Sequence, residues 1–433
     1  MTPEENDLMC RVEGEAPMGQ LMRRHWLPAC MSEEVAEPDG APVRTRMLGE
    51  DLVVFRDSKG RIGVLGEQCP HRHASLAFGR NEECGLRCLY HGWKFDIDGA
   101  AMEMSSEPPG SPMLKRVRHK AYPAREGGGF VWVYMGPAGT MRDFEPPAWA
   151  PTPDAKISIV KMQTACNWAQ VLEGAIDSAH SSTLHSSNMP VAAVDSAKAT
   201  GMTWPRPSAD RSPRLRVQQT SFGFRYAALR TPILNAETHE YIRTTVFVAP
   251  FTVLIPPNDR YKLAQMLFPI DDTNTMFYWI AWHETKGIDQ DAWREFCAAQ
   301  IGPDLHPDYR KVRTLENRFL QDRAAMKRGD FTGIKGIPAQ DMAMWESMGP
   351  ITDRSNEMLG SSDLAIVHFR RCMIGAARLF IADGTAIGTT LPHIPHVKLA
   401  SFEGIVSKAT NWATLGVAAE ELAQASPADQ PAA

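Results

Sequence analysis

The chain has 433 residues, 43% of them apolar and 22% charged, with a formal net charge of −5. That length can fill two sizeable cores, so two domains are expected, and the mild acidity gives no electrostatic reason to expect nucleic acid or an anionic membrane as partner. No apolar run approaches the roughly 18 to 20 residues of a membrane span, and eight cysteines spread over this length point to metal or redox chemistry rather than a disulfide framework.

The opening MTPEENDLMCRVEGEAPMG is acidic and lacks the basic start and apolar core of a signal peptide, so the chain is read as cytoplasmic. Residues 1–24 are expected to form a helical segment. DLVVFRD (51–57) and RIGVLGEQC (61–69) then read as strands around a Ser58-Lys59-Gly60 turn. WKFDIDG (93–99) alternates before an Asp-Gly turn, and GGFVWVYMGP (128–137) is a further strand. Residues 25–145 are therefore expected to form a small all-β domain whose loops carry CPHRHASLAFGRNEECGLRCLYHGW (69–93). In that stretch Cys69 pairs with His71, and Cys88 pairs with His91. Zinc sites usually pair like with like, two cysteines close together and then two histidines. Here each pair is mixed. A Rieske [2Fe–2S] centre suits that order better, because two thiolates hold one iron and two imidazoles the other. Two mixed pairs on two loop tips let each tip give one ligand to each iron. Pro70 stiffens the first tip, and Gly79 and Gly85 free the loop between them to turn. His73 and Cys84 lie outside this register and are read as packing or loop residues.

An electron carrier could stop near residue 140, yet the chain runs on. In DFEPPAWAPTPDA (143–155) the prolines disfavour both helix and sheet, which places a boundary there and a second domain over residues 146–418. CNWAQVLEGAIDSAHSSTLHSS (166–187) follows. A helix over residues 169–179 puts Glu173, Asp177 and His180 on one face. His185 converges on His180 only if the helix ends or kinks, which the serine-rich SSTLHSS favours. Two histidines meeting at a point suggest a metal, and non-haem Fe(II) completes such a triad with one carboxylate. Glu173 and Asp177 are near enough to serve as partners of the ligands rather than as ligands. Asp341 in IPAQDMAMWE and Asp363 in LGSSDLAIVHFRR are the downstream candidates; Asp363 reads as a helix cap, which weakly favours Asp341. Small, Pro/Ala-rich residues 419–433 read as a disordered tail.

With both motifs in hand, CPH…CLYHGW and NWAQVLEGAIDSAH…H, the sequence resembles the Rieske non-haem iron ring-hydroxylating oxygenases of the phthalate dioxygenase-like type. The likeness runs from MGQLMRRHWLPAC (18–30) to the region near residue 410. It implies an α+β architecture: the all-β [2Fe–2S] domain, then a catalytic domain with an antiparallel sheet flanked by helices. It implies His180, His185 and Asp341 as ligands of a mononuclear iron, and O2 as cosubstrate. It also implies head-to-tail trimers, sometimes stacked in pairs, in which Asp177 bridges the iron of one subunit and the cluster of its neighbour. No G-x-G-x-x-G fingerprint or plant-type C-x4-C-x2-C run is present, so a separate flavin/iron–sulfur reductase is expected to bring electrons from a nicotinamide. An aromatic dicarboxylate such as phthalate or isophthalate needs fixed cations, for which the resemblance points to Arg206 in TWPRPSAD and Arg243 in YIRTTVFVAP, with Arg225 and Arg230 in reserve. The expected reaction is ring dihydroxylation. The alternatives are a Rieske monooxygenase or O-demethylase acting on an aromatic acid, and a Rieske electron-transfer protein.

Overall fold

The computed structural model describes residues 1–200, 203–390 and 394–416; the whole of the expected tail at 419–433 lies outside them. The chain divides into two units, one of Val12–Pro146 and one that joins Met1–Arg11 to the residues from Pro147 onward. The expected N-terminal segment is thus shared out. Its first helix, α1 (Pro3–Cys10), belongs with the second unit, and α2 (Pro17–Met22) with the first.

The Val12–Pro146 unit contains eleven short strands: β1 (Trp26–Met31), β2 (Val43–Met47), β3 (Glu50–Arg56), β4 (Ile62–Gly66), β5 (Arg80–Glu82), β6 (Gly85–Arg87), β7 (Trp93–Phe95), β8 (Ala101–Met104), β9 (Ala121–Tyr122), β10 (Ala124–Gly127) and β11 (Phe130–Tyr134). They form three antiparallel sheets, ordered β1-β11-β10, β2-β3-β4-β9 and β5-β6-β7-β8. The β3–β4 hairpin turns at Ser58-Lys59-Gly60 as expected. Buried Asp57 accepts backbone N–H bonds from Lys59 (2.9 Å) and Arg61 (2.8 Å) and a salt bridge from the Arg61 side chain, so one carboxylate pins the turn. Alternate residues of β3, β4, β6 and β7 supply a core of Val53, Phe55, Leu65, Leu86 and Phe95, into which Cys69 and Cys88 are also packed.

The short helix α3 (Met113–Arg116) lies between β8 and β9. The second unit builds an eight-stranded antiparallel sheet. Its strands are β12 (Ile157–Thr164), β13 (Arg214–Thr220), β14 (Gly223–Arg230), β15 (His239–Val248), β16 (Thr252–Ile255), β17 (Lys262–Pro269), β18 (Thr275–Trp282) and β19 (Phe402–Ser407). The order is β12-β18-β17-β16-β15-β14-β13, with β19 pairing the first half of β15. The helices are α4 (Trp168–Ile176), α5 (Gln290–Phe296), α6 (Arg323–Lys327), α7 (Ile337–Ser347) and α8 (Leu364–Asp383). α4 packs on β16 and β17, α8 on β13 and β14, and α4 touches both α7 and α8. This is the α+β arrangement expected, an antiparallel sheet flanked by helices. No helix among the described residues is long and apolar enough to cross a membrane.

Two anchors hold the helices that matter for the site. Glu173 on α4 accepts from Arg354 Nε (2.9 Å) and Arg370 Nε (2.8 Å), while Arg354 Nη1 reaches Asn6 on α1 at 2.8 Å. Glu346 on α7 accepts from Lys311 (2.6 Å), Thr164 Oγ1 (2.9 Å) and the Ala165 N–H (2.9 Å). Both carboxylates are buried, and each is paired and hydrogen-bonded, the condition under which a buried charge is tolerated. Glu173 is therefore a structural ion-pair residue and not a partner of the histidines.

Candidate active site

In the first unit the two loop tips are built alike. After β4, the His73 N–H donates to Cys69 O at 2.9 Å; between β6 and β7, the Gly92 N–H donates to Cys88 O at 3.0 Å. The donor residue is left-handed in both, with φ 59° at His73 and 72° at Gly92. His73 thus takes the turn-closing place that a glycine takes in the second tip, which accounts for a histidine inside the motif that stands apart from the ligand set. Cys84, at φ 61°, forms the tip of the β5–β6 hairpin. Cys69 and Cys88 are buried free thiols. The rings of His71 and His91 lie side by side, 4.4 Å between centroids, and His71 also stacks on Trp93 at 4.4 Å. His71 Nδ1 is buried with no hydrogen-bond partner. Two inward thiols and two adjacent imidazoles, one with an orphaned nitrogen, fit a cluster that takes two sulfur and two nitrogen ligands.

In the second unit α4 stops at Ile176, three residues before the expected end. Asp177 is extended (φ −80°, ψ 109°) and caps the helix. Its Oδ1 accepts the Ala179 N–H at 2.7 Å, the local side-chain bond by which aspartate competes with helix continuation. The predicted shared face of Glu173, Asp177 and His180 is accordingly not formed. The early stop instead swings His180, which opens a short 3-10 turn (His180–Ser182), toward His185. Their rings meet edge to face, 5.1 Å apart at 82°.

Asp341 reaches them from the interior of α7, not from a cap. His180, His185 and Asp341 each offer a ligand atom, and the three atoms lie within 4.8 Å of one another. Asp341 Oδ1 is 3.0 Å from His185 Nε2 and 3.5 Å from His180 Nε2. Asp363, the other candidate, stands at the N-cap position of α8, but its carboxylate accepts the Gly360 N–H at 2.6 Å and so ties the short 3-10 turn before the helix rather than capping α8 itself. Behind the triad, His185 Nδ1 donates to Gln340 Oε1 at 2.7 Å, and Gln340 is itself held by Asn188 and the Ile334 carbonyl, each 2.9 Å away. This chain of bonds leaves His185 Nε2 as the free lone pair. His180 Nδ1 lies 3.4 Å from Asp177 Oδ2, an ion-pair distance without the hydrogen bond that holds His185 on the other side. Burial opposes charge on His180, but Asp177 and Asp341 outweigh it and raise its pKa; burial opposes charge on Asp177 too, and His180 with the Ala179 N–H holds it below the usual carboxylate range. Two imidazoles and one carboxylate, converging and oriented from behind, fit a mononuclear Fe(II) with open positions.

The triad opens onto a cavity of about 80 Å³, walled by Trp204, Trp279, Tyr226 and Trp345, with Arg243 and Thr245 from β15. Arg243 is 7% exposed, lies over the Trp204 ring at 5.6 Å, and its Nε has no partner. Arg206 is placed differently from expectation. It lines a neighbouring cavity of about 50 Å³ with Arg230 and Arg211, while its Nη atoms donate to Ser182 (3.1 Å) and Ser181 (3.0 Å) on the loop between the histidines. Arg230 donates to Ser178, at Oγ (3.2 Å) and at the carbonyl (2.6 Å). Burial, with Arg243 nearby, pushes Arg206 down to about 9 and Arg230 to about 10. Arg225 faces away, bonded to Gln218 and stacked over Trp412. Gln340 and Arg230 had no spacing signal of their own.

Residues 25–121 match the model of the Rieske [2Fe-2S] domain, and residues 133–432 match that of the domain described as LigXa C-terminal domain like. The chain belongs to the Rieske non-haem iron oxygenases, enzymes that combine a [2Fe–2S] cluster, a mononuclear iron and O2. Among its relatives, the phthalate 4,5-dioxygenase oxygenase subunit of Pseudomonas putida is 59% identical over 95% of this chain and 94% of that protein. The 3-chlorobenzoate-3,4-dioxygenase oxygenase subunit of Comamonas testosteroni is 37% identical over 88% and 90%. A solved structure of a Pseudomonas putida CBB5 NdmA variant with caffeine shares the fold at 17% identity, with a TM-score of 0.62 over 91% of this chain and 99% of that one.

Proposed function

We propose that this chain is the oxygenase subunit of a system that dihydroxylates the ring of a benzene dicarboxylate of the phthalate type. Electrons come from NAD(P)H through a separate reductase, and the enzyme works in the cytoplasm as a head-to-tail trimer or a stacked pair of trimers. One observation carries the substrate class: the Arg243 side chain is buried in the wall of the triad's cavity with its Nε unpartnered, and its guanidinium has no carboxylate within 4.0 Å among the described residues. A buried guanidinium without an acceptor is costly, and a carboxylate is the ligand whose planar oxygens match its fork. The similarity to a phthalate 4,5-dioxygenase subunit points the same way.

His180, His185 and Asp341 would hold the mononuclear iron, and Cys69, Cys88, His71 and His91 the cluster. When bound, the cluster supplies electrons singly and the iron supplies the place where O2 is activated. The protein's own part is positioning. Gln340 fixes His185 so that Nε2 faces the cavity, and Asp177 orients His180 from its Nδ1 side. Arg243 anchors a carboxylate at one end, and Arg206, behind the Ser181–Ser182 loop, adds a second positive charge to the same region. The tryptophan walls hold an aromatic ring flat and keep water from the reacting face.

The test supplies reductase, NADH, phthalate and isotopically labelled O2. Mass spectrometry should show both labelled atoms in the product; a single incorporated atom, or loss of a methyl group from an ether substrate, would instead favour the monooxygenase reading. A charge-assisted pair is worth roughly 1.5 to 3 kcal/mol, so Arg243→Ala should lower kcat/KM for phthalate by about tenfold to a hundredfold. It should also narrow the preference for phthalate over benzoate. Arg243→Lys should restore little, because an ammonium lacks the planar fork. Wild-type turnover of benzoate as good as that of phthalate would overturn the dicarboxylate assignment.

A further inference from the structure

The cations around the cavity are arranged in a row. Arg243 on β15 pairs in register with Ala228 on β14, two residues from Arg230, so Arg230 lies diagonally across on the same face of the sheet. On the other side of β15, Arg243 pairs in register with Glu403 on β19, again on the same face. Arg206 comes in from the loop before β13. Arg206, Arg230 and Arg243 are 3%, 1% and 7% exposed, and each has a buried Nε with no partner. Among the described residues none of the three comes within 4.0 Å of a carboxylate. Glu403 is the carboxylate that sits in their row. Both of its oxygens accept the Ala197 N–H at 2.9 Å, which fixes the side chain in place. Burial raises its pKa, while the Ala197 N–H and then Arg243 and Arg206 favour its charged form. At the rim of the second cavity Asp210 accepts the Ser212 and Thr231 N–H groups and favours the charge on Arg230, while Arg211 adds a further cation.

We propose that Glu403 sets the charge this clamp prefers: held in register opposite Arg243, it cancels one of three guanidinium charges and leaves a site matched to a dianion. The inference rests on the carboxylate reading of the cavity given above and adds to it the residue that tunes it. Its functional reason is release. Ring dihydroxylation leaves both carboxylates untouched, so the clamp grips product as well as substrate. A fixed carboxylate in the row weakens that grip and also relieves repulsion among the guanidiniums when the cavity is empty.

The experiment measures binding calorimetrically, on the anaerobic holoenzyme, for two ligands of the same shape: phthalate, a dianion, and 2-carbamoylbenzoate, a monoanion. In Glu403→Gln, which keeps an oxygen for the Ala197 N–H, each ligand charge loses one repulsive neighbour. The dianion gains twice as much as the monoanion. Phthalate should bind roughly tenfold tighter and 2-carbamoylbenzoate about threefold tighter, so the ratio widens by about threefold. Glu403→Asp should return the ratio toward wild type. If Glu403→Gln loses its cluster colour, Glu403→Met is the second neutral replacement and carries the same expectation. A ratio that stays the same or narrows, in a protein that still turns over phthalate, overturns the role of Glu403 alone. A wild type that binds neither ligand overturns the reading of the cavity and this inference with it.

Discussion

Gln340 is a residue on which the tautomer of a proposed iron ligand depends. It accepts from His185 Nδ1 at 2.7 Å, and two further bonds fix its own amide, so its oxygen cannot turn away. Gln340→Leu should therefore weaken iron retention about tenfold to a hundredfold, as loss of such supporting partners typically does. A chelator titration of the mononuclear iron would read this, while the visible spectrum of the cluster stays unchanged. Iron held as tightly as in wild type would show that His185 is oriented by packing alone. The residue was hard to see in the sequence for a physical reason. The two histidines and the two mixed cysteine–histidine pairs each fall within one short stretch, where spacing reports geometry. Gln340 meets His185 across 155 residues of chain, a separation only the folded sheet and helices can close. Asp341 is only weakly favoured by the sequence itself, and the resemblance settles it, for the same reason. Glu403 and Arg243 are brought into register by strands far apart in sequence, so no local pattern marks Glu403.

At the scale of elements, the contact between α4 and α7 sets the triad. Gly174 on α4 packs so closely on Trp345 of α7 that a Cβ there would lie 2.1 Å from Nε1 and 2.4 Å from Cε2 of the indole. Trp345 is four residues after Asp341 on the same helix, so whatever displaces the indole moves the carboxylate. Gly174→Ala would gain about 1 kcal/mol of helix propensity, but forcing a methyl group into a packed interface costs about 1 to 3 kcal/mol. The balance should be a modest fall in Tm with a larger loss of mononuclear iron, measured on the same sample by melting and metal analysis. A variant that keeps full iron would mean that α7 shifts without carrying Asp341. The strand cores and the β3–β4 turn were readable from alternation and turn chemistry. The end of α4 was not, because the helical pattern continues through Ala179 while the Asp177 side chain has already captured the Ala179 N–H. The signal was present in the aspartate itself, which offers the backbone an alternative to the helix.

At the scale of the whole molecule, the proposed trimer makes a claim that inactive proteins can test. Asp341→Ala removes a triad carboxylate and should lose mononuclear iron while keeping the cluster spectrum. His71→Ala removes a proposed cluster ligand and should bleach the protein while leaving the triad intact. Each variant alone should be inactive with the reductase supplied, since one has no place to activate O2 and the other no route for electrons. If electrons pass from the cluster of one subunit to the iron of its neighbour, co-expressed mixtures should recover activity. In a head-to-tail ring each junction joins an intact cluster to an intact triad with a probability of about one in four, so an equal mixture should show roughly a quarter of the wild-type rate. Mixing the two proteins after each has assembled should recover far less, because the trimers must first exchange subunits. If transfer instead ran within each chain, no mixture could work, because every chain would carry one broken site. Asp177, next to the triad and 3.4 Å from His180, gives the control. Adding Asp177→Asn to the His71→Ala partner, the one with the intact triad, should abolish the recovered rate. Adding it to the Asp341→Ala partner should leave that rate unchanged, because the junction that works there uses the other chain's Asp177.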